Sequence, residues 1–111
     1  MNRLVDAGKL DRRVAIIRAG APTRNGHGEA IPGADVETQR WASVRPAPGT
    51  ERFRSGETAA EAPMRFVFRW AADLVRVTDR LRHDGRTYAV SSVTEIGRRE
   101  GLEVLAVARA E

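Results

Sequence analysis

The stretch that decides the fold is Arg80-Leu-Arg-His-Asp-Gly-Arg-Thr-Tyr-Ala-Val-Ser-Ser-Val-Thr-Glu-Ile-Gly-Arg-Arg-Glu-Gly-Leu-Glu-Val-Leu-Ala-Val-Ala-Arg109. It reads as strand, turn, strand, turn, strand. Asp84-Gly85 is a two-residue turn of the kind that needs positive φ, flanked by residues suited to paired strands. Gly97 and Gly101 bracket a second, charged turn through Arg98, Arg99 and Glu100. The strands around it are rich in Val, Thr, Ile and Leu, which fit a pleated, half-buried surface. A three-stranded meander is close to the minimum for a stable sheet. The preceding chain must therefore cover its apolar face.

At 111 residues the chain is expected to be one domain with a small core, spanning 1–111. It has no cysteine, which excludes a disulfide framework, a thiolate metal site and a cysteine nucleophile. No apolar run approaches the roughly 18 residues of a membrane span. The first ten residues lack the apolar run of a secretory signal. Nineteen basic residues face fifteen acidic ones, for a formal net charge of +4. Lys9 is the single lysine; the rest are arginines, whose planar fork suits carboxylate or phosphate. No block of five like charges and no basic stripe interleaved with aromatics occurs, which argues against sequence-specific reading of DNA.

Working back from the meander, Pro63-Met-Arg-Phe-Val-Phe-Arg-Trp70 is the cleanest strand. Met64, Phe66, Phe68 and Trp70 share the face assigned to the core. Arg65, Val67 and Arg69 share the other, where the two arginines are candidates for outer-face contacts with another subunit. Arg12 to Arg18 reads as a first strand and Asp35 to Arg45 as a second. Between them Ala19 to Ala34 is turn-rich (Gly20, Pro22, Asn25-Gly26, Gly28, Pro32, Gly33) and reads as a long hairpin connection. In the second strand Trp41 falls on the polar parity. Core filling is expected for it, through a register bulge or beneath an N-terminal arm. Residues 1–11 suit a short helical turn that Gly8 would end. Ala71 to Thr78 is a connector or a short strand. The expected architecture is mainly β: a small antiparallel β-barrel of about six strands, with a long loop or short helix at residues 49–62. That segment has little to bury apart from Phe53, and such segments are usually functional or disordered. Phe53 either plugs a barrel end or meets another subunit or a ligand.

Reaction chemistry is thinly represented. Ser43, Ser55, Ser91 and Ser92 lie outside any Gly-x-Ser-x-Gly elbow. Gly26-His27-Gly28 lacks the strand-before, helix-after context of a phosphate loop, and neither His27 nor His83 has carboxylates at metal-ligand spacing. Glu95, Glu100 and Glu103 read as surface charges. No catalytic, cofactor-binding or metal-binding residue is assigned, and an enzyme is not expected. Arg76, Arg80, Arg82, Arg86, Arg98 and Arg99 crowd the C-terminal half, where a positive patch would attract phosphates without regard to sequence.

The ordered layout resembles the phage head–tail joining proteins, the head-closure or stopper family, which includes prophage and gene-transfer-agent versions. The resemblance rests on Gly8-Lys-Leu-Asp-Arg-Arg-Val-Ala-Ile16, the Asn25-Gly-His-Gly28 turn and Trp41-Ala-Ser-Val-Arg-Pro46. It continues through the polar segment from Glu51 to Glu61, the strand from Met64 to Trp70 and Asp79-Arg-Leu-Arg-His-Asp-Gly-Arg-Thr-Tyr-Ala-Val90. It implies a barrel subunit of a homo-oligomeric ring, a hexamer by family analogy. Such a ring sits in the neck of a particle assembled in the bacterial cytoplasm, between the portal or adaptor ring and the tail-terminator or tail-tube proteins. Double-stranded DNA passes through its lumen, and no membrane is involved. By position, Arg52, Phe53, Arg54 and Glu57 are then candidates for lumen or inter-subunit contacts. The competing reading is a small basic OB-like module for nucleic acid, which would expose aromatics on one sheet face as stacking platforms.

Overall fold

A computed structural model describes residues 5–47 and 63–109. The described chain folds into β1 (Arg12–Arg24), β2 (Ala30–Pro46), β3 (Pro63–Arg69), β4 (Arg80–His83), β5 (Arg86–Ile96) and β6 (Gly101–Ala108). They close into an antiparallel barrel in the order β1-β2-β3-β6-β5-β4, with β4 pairing back onto β1. The expected meander is β4-β5-β6. Its first turn has Asp84 at φ 53 and Gly85 at φ 78, the doubly left-handed backbone that a two-residue hairpin needs.

Even-numbered residues of β1, β2, β3 and β6 point inward. Val14, Ile16, Ala42, Phe66, Phe68, Val104 and Ala106 are buried there with Leu81 and Tyr88. Phe66 meets Tyr88 edge-on, with centroids 5.1 Å apart. In β5 the inward parity changes. Val90 pairs with Ala106 and Ser92 with Leu105, so a bulge at Ser91 lets both Val90 and Val93 reach the core.

Both parities of β1 are buried from Val14 to Ile17. The outer pair, Ala15 and Ile17, is covered by charged straps rather than by a second layer. Arg80 on β4 reaches Asp35 on β2 at 2.7 Å, and Arg82 reaches Glu37 in the same sense, both passing over β1. The outer face of β3 is covered by the N-terminal segment. Asp6 caps a 3-10 turn at Ala7–Lys9 by accepting from the Gly8 amide. Gly8 thus lies inside the turn it was expected to end. Val67, assigned to the open face, is buried.

Two further expectations are corrected. The segment from Ala19 to Ala34 is not a loop. β1 runs on to Arg24 and β2 starts at Ala30, leaving only the turn Asn25–Glu29. Gly20 sits opposite Gly33, and a Cβ on Gly20 would lie 2.1 Å from the Ala34 carbonyl oxygen. Two facing glycines let the backbones close to a distance that any side chain would block. Pro22 and Pro32 are tolerated because this part of the hairpin has no further neighbour on either edge. The second correction is Trp41. The β1–β2 register is unbroken from Arg12 to Arg18, so Trp41 stays on its outward parity and is 54% exposed.

Gly20→Ala should therefore loosen the hairpin beyond Ile17 while sparing the barrel. Hydrogen exchange is expected to speed up at Ala19–Arg24 and Ala30–Ala34 with little change at β3 and β6. Phe66→Ala, by contrast, should lower global stability in urea by about 3–5 kcal/mol.

Candidate functional site

The strand directions give the barrel two unlike ends. At one end lie the start of β1, the end of β2, the start of β3, the β4–β5 turn and the end of β6. Segment 48–62 leaves and re-enters the barrel here. Ala47 donates to the Pro63 carbonyl at 3.1 Å, so β2 stays paired with β3 to the last residue before the segment. Arg52, Phe53, Arg54 and Glu57 belong to this segment and lie outside the described residues.

The other end is stoppered by a polar knot. Arg18 continues the inward parity of Val14 and Ile16 and reaches Asp79, whose side chain is almost fully buried. Arg18 Nε donates to Asp79 Oδ1 at 3.0 Å and Nη2 donates to Oδ2 at 2.8 Å. The Arg76 amide also donates to Asp79 Oδ2 at 2.8 Å, and Arg18 Nη2 donates to the Asp73 carbonyl at 3.0 Å. The hydrogen bond to Asp79 raises the Arg18 pKa further above its ordinary value, against the opposing effect of burial. On the rim, Arg76 hydrogen-bonds Asp73, which lowers the Asp73 carboxyl and raises the Arg76 guanidinium. This fork-to-fork geometry makes the knot a rigid stop. No local pattern announces a pair 61 residues apart. The one hint is that Asp79 opens one of the stretches that carry the family resemblance.

Among the described residues the expected positive patch is neutralised at three of its six arginines. Arg76, Arg80 and Arg82 are paired with Asp73, Asp35 and Glu37, and Arg99 lies over the Trp70 ring at 5.0 Å. Strand pairing brings carboxylates from distant sequence beside each arginine, which charge counting along the chain cannot show. His27 is exposed in the hairpin turn, where the Asn25 side chain accepts from the His27 and Glu29 amides. Its neighbour Gly28 adopts φ 79.

On the outer wall the two arginines of β3 part company. Arg65 Nε donates to Glu103 Oε2 at 2.6 Å across the β3–β6 pair. Arg69 is exposed and borders a groove of about 330 Å³ lined by Leu10, Arg40, Trp41, Phe68, Arg69, Trp70 and Ala71. Arg13 stacks over the Trp41 ring at 5.2 Å. Two tryptophans with arginines stacked on or beside them make a surface of the composition found at binding hot spots. Phe66 and Phe68, which the nucleic-acid reading needs exposed, are fully buried.

The sequence matches the family model of the phage head completion proteins over residues 5–109. The chain belongs to the phage head completion protein family. That is a structural family of the phage head, not an enzyme class. Among solved structures, it resembles protein SF1141 from Shigella flexneri 2a in fold. The TM-score is 0.72 at 24% identity, covering 96% of this chain and 99% of that one. It is also similar to a chain in the virion of a native gene transfer agent particle. Here the TM-score is 0.57 at 25% identity, covering 86% of this chain and 91% of that one. No curated protein matches it.

Asp79→Ala should leave Arg18 with only Asp73 as an acidic partner and the Arg76 amide without its acceptor, and lower stability by about 1–3 kcal/mol in urea at neutral pH. Replacing both partners, Arg18→Met with Asp79→Leu, should recover only part of this, because the Arg76 amide still loses its acceptor. The lowered Asp73 carboxyl stabilises the fold above its unfolded pKa, and the contribution fades as pH falls through the depressed folded value. The stability difference between wild type and Asp73→Asn should therefore shrink in acid, and also in high salt.

Proposed function

We propose that this protein is a head-closure subunit that assembles, as a ring of copies, between the portal side of a DNA-filled head and the tail of a phage or phage-like particle. The observation that carries the reading is the family match along nearly the whole chain. It is supported by the similarity to a component of a gene transfer agent virion. The physical layout suits the role. A ring subunit needs a rigid barrel, unlike ends to meet unlike neighbours, and side-wall contacts that close on themselves. The closed sheet and the Arg18–Asp79 knot supply rigidity. The neutralised arginines suit a lumen through which DNA passes without sticking. Portal or adaptor proteins on one side and tail-terminator or tail-tube proteins on the other are the partners that this position implies. The site is a particle neck, assembled in the bacterial cytoplasm, and six copies form the ring.

Segment 48–62 is the part we assign to the lumen or to the adjoining subunit, with Arg52, Phe53, Arg54 and Glu57 as contact residues. On the outer wall Arg69 is the better contact candidate, since Arg65 is already engaged with Glu103.

Particles made without this protein should fill with DNA and then lose it or fail to gain tails. This is read by electron microscopy and by nuclease-sensitive DNA in the lysate. Filled and tailed particles from the deletion would sink the reading. Phe53→Ala combined with Arg52→Ala and Arg54→Ala should leave the urea midpoint unchanged but reduce DNA retention.

A further inference from the structure

β1 pairs with β4 only over Ala15–Ile17, and β2 pairs with β3 only from Ala42 onward. Residues 18–24 and 30–36 consequently form a two-stranded ribbon that leaves the barrel with both edges open. Two-stranded ribbons are marginal in water unless something covers them. In this one the charged residues Arg18 and Asp35 are paired at its base, Arg24 donates to the Gly28 carbonyl beside the tip, and Ile31 and Val36 are exposed at 43% and 56%. Alternating Ala, Pro and Gly make it narrow. Its tip carries the Glu29 carboxylate, which enters no ion pair among the described residues.

The Trp41–Trp70 groove has the complementary character. Its floor is apolar, its rim holds Arg40 and Arg69, and none of its lining side chains is acidic. Eleven residues of almost unbroken strand, Ala30 to Arg40, separate Glu29 from Trp41. At about 3.3 Å per residue the tip stands up to about 40 Å from the groove, so the ribbon cannot fold back onto its own barrel. We infer that the ribbon of one copy seats in the Trp41–Trp70 groove of the next copy, with Glu29 against the arginine rim. The contact is head-to-tail, joining different patches of the two copies. Such a contact, repeated through a suitable rotation, closes a ring. The inference rests on the ring proposed above and names the surfaces that make it.

Ile31→Asp disables the ribbon and Trp41→Ala disables the groove, and both residues are exposed, so both variants should keep the wild-type urea midpoint. Native mass spectrometry of wild type, as free protein and in neck complexes released from particles, should show rings. Each variant alone should stay monomeric, and an equal mixture of the two should stop at dimers, because each dimer has one intact and one doubly damaged surface. The chain has no cysteine, so Ile31→Cys with Arg69→Cys can be joined by a short bis-maleimide. A ladder of covalent oligomers is expected from the double variant, and no ladder beyond dimers from either single one. Wild-type rings that persist in both Ile31→Asp and Trp41→Ala, with no ladder, would overturn the contact while leaving the ring intact. Wild type that stays monomeric in solution and in particles would overturn the ring itself and the contact with it. Occupancy of the groove by short duplex DNA, read as a change in wild-type tryptophan fluorescence that Trp41→Ala removes, would assign the groove to a different occupant and also overturn the contact.

Discussion

The pairing of β4 with β1 is the constraint on which the rest depends. It involves only Ala15–Ile17 against Arg80–Arg82, yet it turns an open sheet into a closed one and removes both edges at once. A barrel of six strands has an interior that side chains can fill. Phe66, Phe68, Leu81, Val14 and Val104 do so with essentially no exposure. Each should contribute roughly 1.5–3 kcal/mol on burial. Closure also places Arg80 and Arg82 on one side of β1 and Asp35 and Glu37 on the other. The same short contact therefore explains why an outward-facing Ala15 and Ile17 are buried.

Closure leaves the two ends to be sealed by different means. At one end Arg18 and Asp79 put a charged pair where a core residue would otherwise sit. Such a pair is no stronger than well-packed apolar residues. Its value is geometric: the guanidinium holds the 73–79 connector by its carboxylate and by backbone carbonyls together. At the other end β2 and β3 stay paired as far as Ala47 and Pro63.

The meander was legible because its signals are local. Asp84-Gly85 favours a left-handed two-residue turn, and the β-branched and aromatic residues that follow it favour paired strands. Residues 63–70 were legible in part: Phe66 and Phe68 at period two mark the core face, whereas Trp70, expected on that face, lies half-buried in the outer groove, and Val67 on the other face is buried. The hairpin from Ala19 to Ala34 was misread because Gly and Pro mark turns by local preference. Facing glycines across a ribbon use the same residues for close approach. Trp41 was misread because its size argues for burial, whereas the register obeys the neighbours in β1. The Ser91 bulge left one trace, the spacing of three between Val90 and Val93, which breaks period-two alternation.

By itself the sequence determined what depends on neighbours along the chain: strand periods, the two-residue turn, the absence of cysteine chemistry and, through ordered motifs, the family. Only the tertiary structure decided what depends on neighbours across the sheet. The Arg18–Asp79 knot, the neutralisation of Arg80 and Arg82 and the groove between Trp41 and Trp70 join residues tens of positions apart. A charge or an aromatic ring carries no mark of its partner in a linear chain, and the partner is supplied only when strand register and barrel closure bring the two together.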